Sequence, residues 1–249
     1  MRNPIATALA LALIASPAAV PAKKAAPYAA ALANPARPEA ERARDATRKP
    51  AELLAFAKVK PGQKVADFIM GGGYLTRILA GAVGPRGVVY AYQPAEFIVF
   101  RAAYGTEQEA VAQAHSNVRA LRPSLSSFAL PEKVDTIITV QNFHDLYLKP
   151  MPAGTADKAN AALFAALKPG GTLIVVDHVA LPGSGVVAAD TLHRIDPAFA
   201  RAELEKAGFR FDGEIAAWRN ADDPHNSNVF APAVRGKTDQ FAYRFRKPK

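Results

Sequence analysis

The sequence predicts an α/β fold, a mostly parallel sheet covered by helices, and three observations carry that reading. Lys64 to Ala80, KVADFIMGGGYLTRILA, is a buried-strand pattern, a glycine turn and an apolar helical repeat in direct succession. Val88 to Tyr92 (VVYAY), Val134 to Val140 (VDTIITV) and Leu167 to His178 (LKPGGTLIVVDH) are further strand-length apolar runs. Helical stretches separate them, which is the rhythm of βαβ units.

A chain of 249 residues, half of them hydrophobic, can bury one full α/β core, and a second large domain is not expected. Residues 1–22 have the order of a secretory signal peptide: Arg2, an apolar run from Ile5 to Ile14, and small residues at Val20-Pro21-Ala22 for cleavage. The apolar run falls short of the roughly 18–20 residues a spanning helix needs, so no stable membrane span is expected after cleavage. Residues 23–36, rich in Ala with two prolines, read as a flexible tether, and 37–249 as the folded domain. Zero cysteines exclude disulfides, thiolate metal sites and cysteine nucleophiles, and with the leader they suggest a periplasmic or secreted bacterial protein. The formal charge is +9, but the basic residues are scattered with no aromatic-interleaved stripe. Solvated surface charge follows, and a nucleic-acid partner is not expected.

Taken in order, Arg37 to Pro50 alternates acidic and basic residues at helical spacing and predicts an exposed helix with surface ion pairs, ended at Pro50. A short helix over Pro50 to Ala57 brings Leu53, Leu54 and Phe56 to the core. In the Lys64–Ala80 elbow, Gly71, Gly72 and Gly73 let the backbone take positive φ and approach a ligand, while the helix start offers unpaired N–H groups. Asp67 sits near the strand end, able to accept a ligand's hydrogen bonds or to order the loop. After the second strand, Phe97 to Ala114 predicts one or two helices and Asn117 to Phe128 a short third strand. The fourth strand, Val134 to Val140, runs into the polar cluster Gln141-Asn142-Phe143-His144-Asp145. In open α/β sheets ligands bind outside the carboxyl ends of the strands, so that cluster shares a crevice with the glycine loop. Thr155 to Leu167 is a helix, and Lys168-Pro169-Gly170-Gly171 turns into the fifth strand. His193-Arg194-Ile195-Asp196 precedes a helix with Pro197 in its first turn, Gly208 ends that helix, and Phe209 to Trp218 and Gln240 to Phe245 read as closing strands.

The acidic residue plus glycine loop, the Lys-Pro-Gly-Gly turn and the order of the four strand elements resemble class I S-adenosylmethionine (SAM)-dependent methyltransferases over about Pro50 to Phe211. The resemblance is strongest to exported, predicted methyltransferases with a Gly-Gly-Gly-Tyr loop, an Asn-aromatic-His-Asp motif and a later His-Arg-Ile-Asp segment. It implies a Rossmann-like, mostly parallel seven-stranded sheet with an antiparallel last strand, SAM as cofactor and methyl transfer to an acceptor, here read as a small molecule. It also implies that Asp67, Gly71, Gly72 and Gly73 line the cofactor, that Gln93 takes the ribose position, and that Asn142 lies near the methionine end. Tyr74 either closes over the cofactor or packs, and the helices before the first strand, which cap the cofactor pocket in that family, could turn Arg42, Asp45 or Arg48 to it, although surface ion pairs are the favoured reading. An NAD-dependent oxidoreductase is disfavoured, because the dinucleotide fingerprint wants a glycine where Thr76 stands.

Methyl transfer is lowered chiefly by positioning, and a base is required only when the acceptor loses a proton. His144 is the candidate acceptor-side base or orienter, with Asp145 to hold its ring. His178, ending the fifth strand, and His193, from a loop above it, complete the candidate catalytic set, with Arg194 available for an anionic group. Asp177, beside His178, falls on the same rim, and three histidines and two aspartates converging there would also suit a metal; no tight His-x-x-x-His spacing exists, however, and no metal site is assigned from sequence. Two positions depart from the family pattern: Ile69 stands at the usual first glycine, and Gln93 at the acidic ribose ligand. They leave a second reading open, an exported binding protein on the same fold without turnover.

Overall fold

A computed structural model describes residues 28–249, so the signal-peptide reading of 1–22 and the first tether residues, 23–27, lie outside the described residues. In chain order the elements are α1 (Ala29–Leu32), α2 (Glu39–Arg42), α3 (Asp45–Arg48), α4 (Pro50–Ala57), β1 (Lys64–Phe68), α5 (Tyr74–Val83), β2 (Val88–Tyr92), α6 (Ala95–Phe100), α7 (Ala103–Ala114) and β3 (Val118–Leu121). There follow β4 (Val134–Val140), α8 (Thr155–Ala166), β5 (Leu167–His178), α9 (Val187–Leu192), α10 (Pro197–Lys206), β6 (Arg210–Glu214) and β7 (Gln240–Arg246). The sheet has seven strands in the order β3-β2-β1-β4-β5-β7-β6. All neighbours pair in parallel except β7, which runs antiparallel to both β5 and β6. This is the sheet expected from the sequence. The order reverses between β1 and β4, and at such a switch point the two flanking chains leave in opposite directions and open a crevice above the strand ends.

The strands alternate their side chains between two cores. Val65 of β1 joins Leu54, Ile78, Leu79 and Val111 on one face, whereas Ala66 and Phe68 join Ile137, Leu163, Leu204 and Phe241 on the other. Because helices cover both faces, the strands read as near-continuous apolar runs. Among the described residues no helix is long and apolar enough to cross a membrane.

Two N-terminal expectations are corrected. The later part of the predicted tether is folded: α1 lies against α5, with Ala31 buried at Gly81, where a Cβ would come within 3.0 Å of the Ala31 Cβ. Tyr28 donates its hydroxyl to the carbonyls of Leu54 and Val59 at 3.1 and 2.8 Å. Small residues that look like linker composition here permit close helix approach. The single exposed helix predicted over Arg37 to Pro50 is instead two one-turn helices, and Pro50 begins α4 rather than ending its predecessor. Arg37 is the reason: it is 1% exposed, its guanidinium forks onto both Asp45 oxygens at 2.7 and 2.8 Å, and it also donates to the Leu32 carbonyl at 2.7 Å. A bidentate buried arginine folds the segment back on itself, so these charges are not i,i+4 surface pairs.

Candidate active site

The β1–α5 elbow is shaped by backbone that only a few residue types tolerate. Gly71 and Gly73 take φ of +57° and +88°, and Ile69 takes +66°. For a β-branched side chain the left-handed region is an outlier that costs about 1–2 kcal/mol and persists only where surroundings impose it. Here Asn142, at the end of β4, imposes it by donating Nδ2 to the Ile69 carbonyl at 3.0 Å and to the Val140 carbonyl at 2.8 Å. Asn142 therefore ties the two strands at the switch point together. Ile69 and Met70 do not plug the bend: Ile69 packs into one core and Met70 into the other, and both leave an open wall. A Cβ at Gly73 would meet Val111 Cγ2 at 2.7 Å, whereas one at Gly71 would enter open space.

Gln93, fully buried at the end of β2, accepts a hydrogen bond from the Gly71 N–H at 2.9 Å. Its Nε2 has no hydrogen-bond partner although it is buried. An orphaned buried donor is costly, and this one lies beside the glycine loop on the wall of the cavity. Asp67 is buried and accepts from the Thr76 hydroxyl at 2.6 Å. Burial raises its pKa to about 6, against the lowering effect of the Thr76 hydrogen bonds and the more distant Arg48 charge. Tyr74 is turned towards the N-terminal segment: its hydroxyl donates to Asp45 Oδ1 at 2.7 Å, and the Arg37, Arg44 and Arg48 guanidiniums lie 5.2–5.6 Å from its ring centroid.

The same segment roofs the crevice. Arg48 lines it and donates to Gln141 Oε1 at 3.3 Å. Its pKa falls to about 10, through burial first and the neighbouring Arg44 charge second. The sequence left Arg48 between facing a cofactor pocket and pairing on the surface, and the surface was favoured because the charged alternation around it looks like a solvated helix. The signal that could have flagged it is the lack of any apolar stripe on so short a helical segment next to a pocket-forming motif.

Across the crevice, a polar rim assembles from three separate strand ends and loops. His144 lies in a 3-10 turn after β4, where both its backbone N–H and Nδ1 point at Asp177 of β5, at 2.8 and 2.9 Å. Its Nε2 stands 3.2 Å from Asp145 Oδ1 and 3.3 Å from His193 Nδ1. Burial would lower its pKa, but the Asp177 charge and the hydrogen bonds of Asp145 and Asp177 outweigh it and lift the value to about 10; Asp177, despite its own burial, is held below the usual range by the same pairing. Both ring nitrogens are thus engaged, and the orienting role expected of Asp145 is shared with Asp177. Asp177 was expected on this rim beside His178 but not as the partner of His144, because neighbouring strand residues face opposite ways and only the β4–β5 register brings the two together. His178 bonds Thr238 Oγ1 through Nδ1 at 2.7 Å, and burial lowers its pKa to about 4. His193, half-buried with φ of +54°, is lowered by burial and then by His144, and packs against the Phe230 ring at 5.0 Å.

Arg194 is not available for an anion, contrary to expectation. It is fully buried, forks onto Asp223 at 2.8 and 3.0 Å, and donates to the carbonyls of Val179 and Ser227. Ile195 bridges Val179, and Asp196 caps α10 through the Ala198 N–H at 2.9 Å. The His-Arg-Ile-Asp segment is therefore a strap that docks His193 over the end of β5. A cavity of about 1050 Å³ joins the two halves, with Asp67, Gly71, Gln93 and Arg48 at one end and His144, Asp145, His178 and His193 at the other.

No family model and no curated protein matches the chain. Solved structures do match. A SAM-dependent methyltransferase from Aquifex aeolicus superposes with a TM-score of 0.58 at 21% identity, covering 82% of this chain and 93% of that one. The N-methyltransferase NodS from Bradyrhizobium japonicum WM9 superposes with a TM-score of 0.55 at 12% identity, covering 83% and 97%. A protein described as a possible exported protein from Bordetella parapertussis gives a TM-score of 0.51 at 16% identity, covering 83% and 68%. The chain has the Rossmann-like fold of the class I SAM-dependent methyltransferases.

Proposed function

We propose that this protein is an exported SAM-dependent methyltransferase acting on a small-molecule acceptor. The single observation that carries the reading is the glycine loop at the switch point, where Gly71 faces open cavity and Gln93 points an unpartnered buried donor beside it. These residues fit a nucleoside: the main chain can approach without a Cβ, and Gln93 Nε2 can donate to a ribose oxygen. Asp67 stiffens the turn through Thr76 and faces the same space. Arg48, charged and partly desolvated on the roof, suits the carboxylate of the methionine moiety. Bound there, SAM would supply an electrophilic sulfonium methyl.

The chain's own contribution is to hold and shield. The Arg37–Asp45–Tyr74 staple fixes the roof, Asn142 fixes the Ile69 turn, and the rim of His144, Asp145, His178 and His193 orients an acceptor at the far end of the cavity. Water exclusion and alignment are worth much of a transfer barrier. Export rests on residues 1–22, and recovery of a periplasmic form lacking them, read by intact mass, tests it.

Thermal melts of the full chain with saturating SAM and, separately, NAD test the cofactor choice. The expected result is a rise in Tm with SAM alone, since a ligand that binds only the folded state stabilises it by mass action. A rise with NAD and none with SAM would overturn the reading. Binding of SAM without product across acceptor panels would favour the non-catalytic binding protein.

A further inference from the structure

We propose that His144, Asp145 and His193 form a binding site for a divalent transition-metal ion of the zinc class, with Asp177 fixing His144 from behind and the remaining coordination position open to the cavity. One donor atom from each of the three side chains lies within 4.8 Å of the others. The separations have the size that coordination produces. Two donors about 2.0–2.1 Å from a tetrahedral ion stand about 3.3–3.4 Å apart, and here His144 Nε2 is 3.3 Å from His193 Nδ1 and 3.2 Å from Asp145 Oδ1.

The surroundings agree with the donors. His144 turns its other nitrogen to Asp177 at 2.9 Å, the carboxylate–histidine arrangement that sets the tautomer and orientation of a metal-bound imidazole. Asp177 is fully buried and Asp145 nearly so, and an ion bound at Nε2 would take the place of the proton that these two carboxylates otherwise hold on the imidazole. His193 is not a wandering surface residue, because the buried Arg194–Asp223 pair next to it and the Ile195 bridge to Val179 hold its loop in place. His178 is outside the set: its Nδ1 is committed to Thr238, and its ring centroid is 6.2 Å from that of His144. Two imidazoles and one carboxylate, with no thiolate, suit Zn²⁺ or a neighbouring first-row ion better than Ca²⁺ or Mg²⁺, which prefer all-oxygen cages. All three residues line the cavity, so the open position would face whatever occupies that end of it. An oxygen or nitrogen of that molecule is the ligand it would take, polarised as by a Lewis acid.

Metal binding stands independently of methyl transfer, and its readout involves no SAM. The untagged full chain, stripped with a chelator, is titrated with Zn²⁺ by calorimetry and with Co²⁺ by visible absorption. One ion per chain and a tetrahedral or five-coordinate Co²⁺ spectrum are expected. His193→Ala, which leaves the His144–Asp177 pair intact, and Asp145→Asn should each weaken affinity at least about 100-fold, while His115→Ala, on the distant end of α7, should leave it unchanged. Circular dichroism of each variant checks that it is folded. Absence of stoichiometric binding, or binding that survives both His193→Ala and Asp145→Asn, would overturn the proposal. If the ion binds and SAM does not, the metal site holds and the methyltransferase reading falls.

Discussion

The two ends of the cavity are built on opposite principles. At the elbow, the groups facing the cavity are main-chain atoms, the Asp67 carboxyl and the Gln93 amide, within 27 residues from Asp67 to Gln93 and roofed by Arg48, and shape comes from absent side chains. At the rim, recognition groups are ionisable side chains brought together from β4, β5 and the strap over 50 residues of sequence from His144 to His193. The strand, turn and helix of the elbow are contiguous, and the braces on its loop from Asn142 and Gln93 come from elsewhere. The rim is only as good as the tertiary contacts that deliver it. The difference teaches that a contiguous motif secures the elbow end of the cavity, whereas the rim end depends on contacts between segments distant in sequence.

The largest expected effect breaks the rim without touching the elbow. Removing one partner of a fully buried ion pair strands the other charge and costs about 3–5 kcal/mol, so Arg194→Met should lower the melting temperature by roughly 2–4 °C for each kcal/mol lost. Pairing it with Asp223→Leu should recover most of that loss, since the stranded carboxylate is then gone. Calorimetric unfolding of the single and double variants checks both.

Next in size is a pH effect confined to the elbow. Asp67, with its pKa raised to about 6 in the folded state, binds a proton there more tightly than it does unfolded. Its contribution to stability is therefore complete below about pH 4 and is lost as pH rises through about 6, a difference of order 2–3 kcal/mol. Arg48 from α3 is the charged group that faces it, and Thr76 from α5 is its hydrogen-bond donor. Denaturant titrations from pH 4 to 7 should show this decline, and Asp67→Asn should flatten it.

Arg48→Met sharpens the assignment of the roof. It should raise the Kd for SAM about 10–100-fold, the weight of a hydrogen bond between charged groups, at about 1.5–3 kcal/mol. Equilibrium binding measures it, and an unchanged Kd would move the carboxylate end of the cofactor away from α3. The smallest expected change is Gln93→Leu. Loss of the amide that braces the Gly71 N–H and is proposed to donate to a ribose oxygen, at about 1 kcal/mol for each bond, should weaken SAM binding several-fold with metal affinity at the rim unaltered.

How far the sequence reveals these regions follows from the same contrast. The sheet, its antiparallel closing strand and the glycine loop were legible, because alternation and turn chemistry are local. The Arg37–Asp45–Tyr74 staple was not: its charges repeat like a solvated helix, and nothing local says that Arg37 turns inward. The partnership of His144 with Asp177 depends on strand register, and the commitment of Arg194 to Asp223 depends on a loop 29 residues further on. Ile69 and Gln93, which read as damage to the loop, prove to be braced by Asn142 and Gly71.

Isothermal titration of SAM into the full chain and into Gly71→Val tests the central claim most directly. Valine there combines a left-handed φ with a side chain in the open mouth of the cavity. The account requires one-to-one binding to the parent chain and a loss of at least about 100-fold, ~2.7 kcal/mol, in a variant that circular dichroism shows to be folded. No binding to the parent, or equal binding to both, would contradict it.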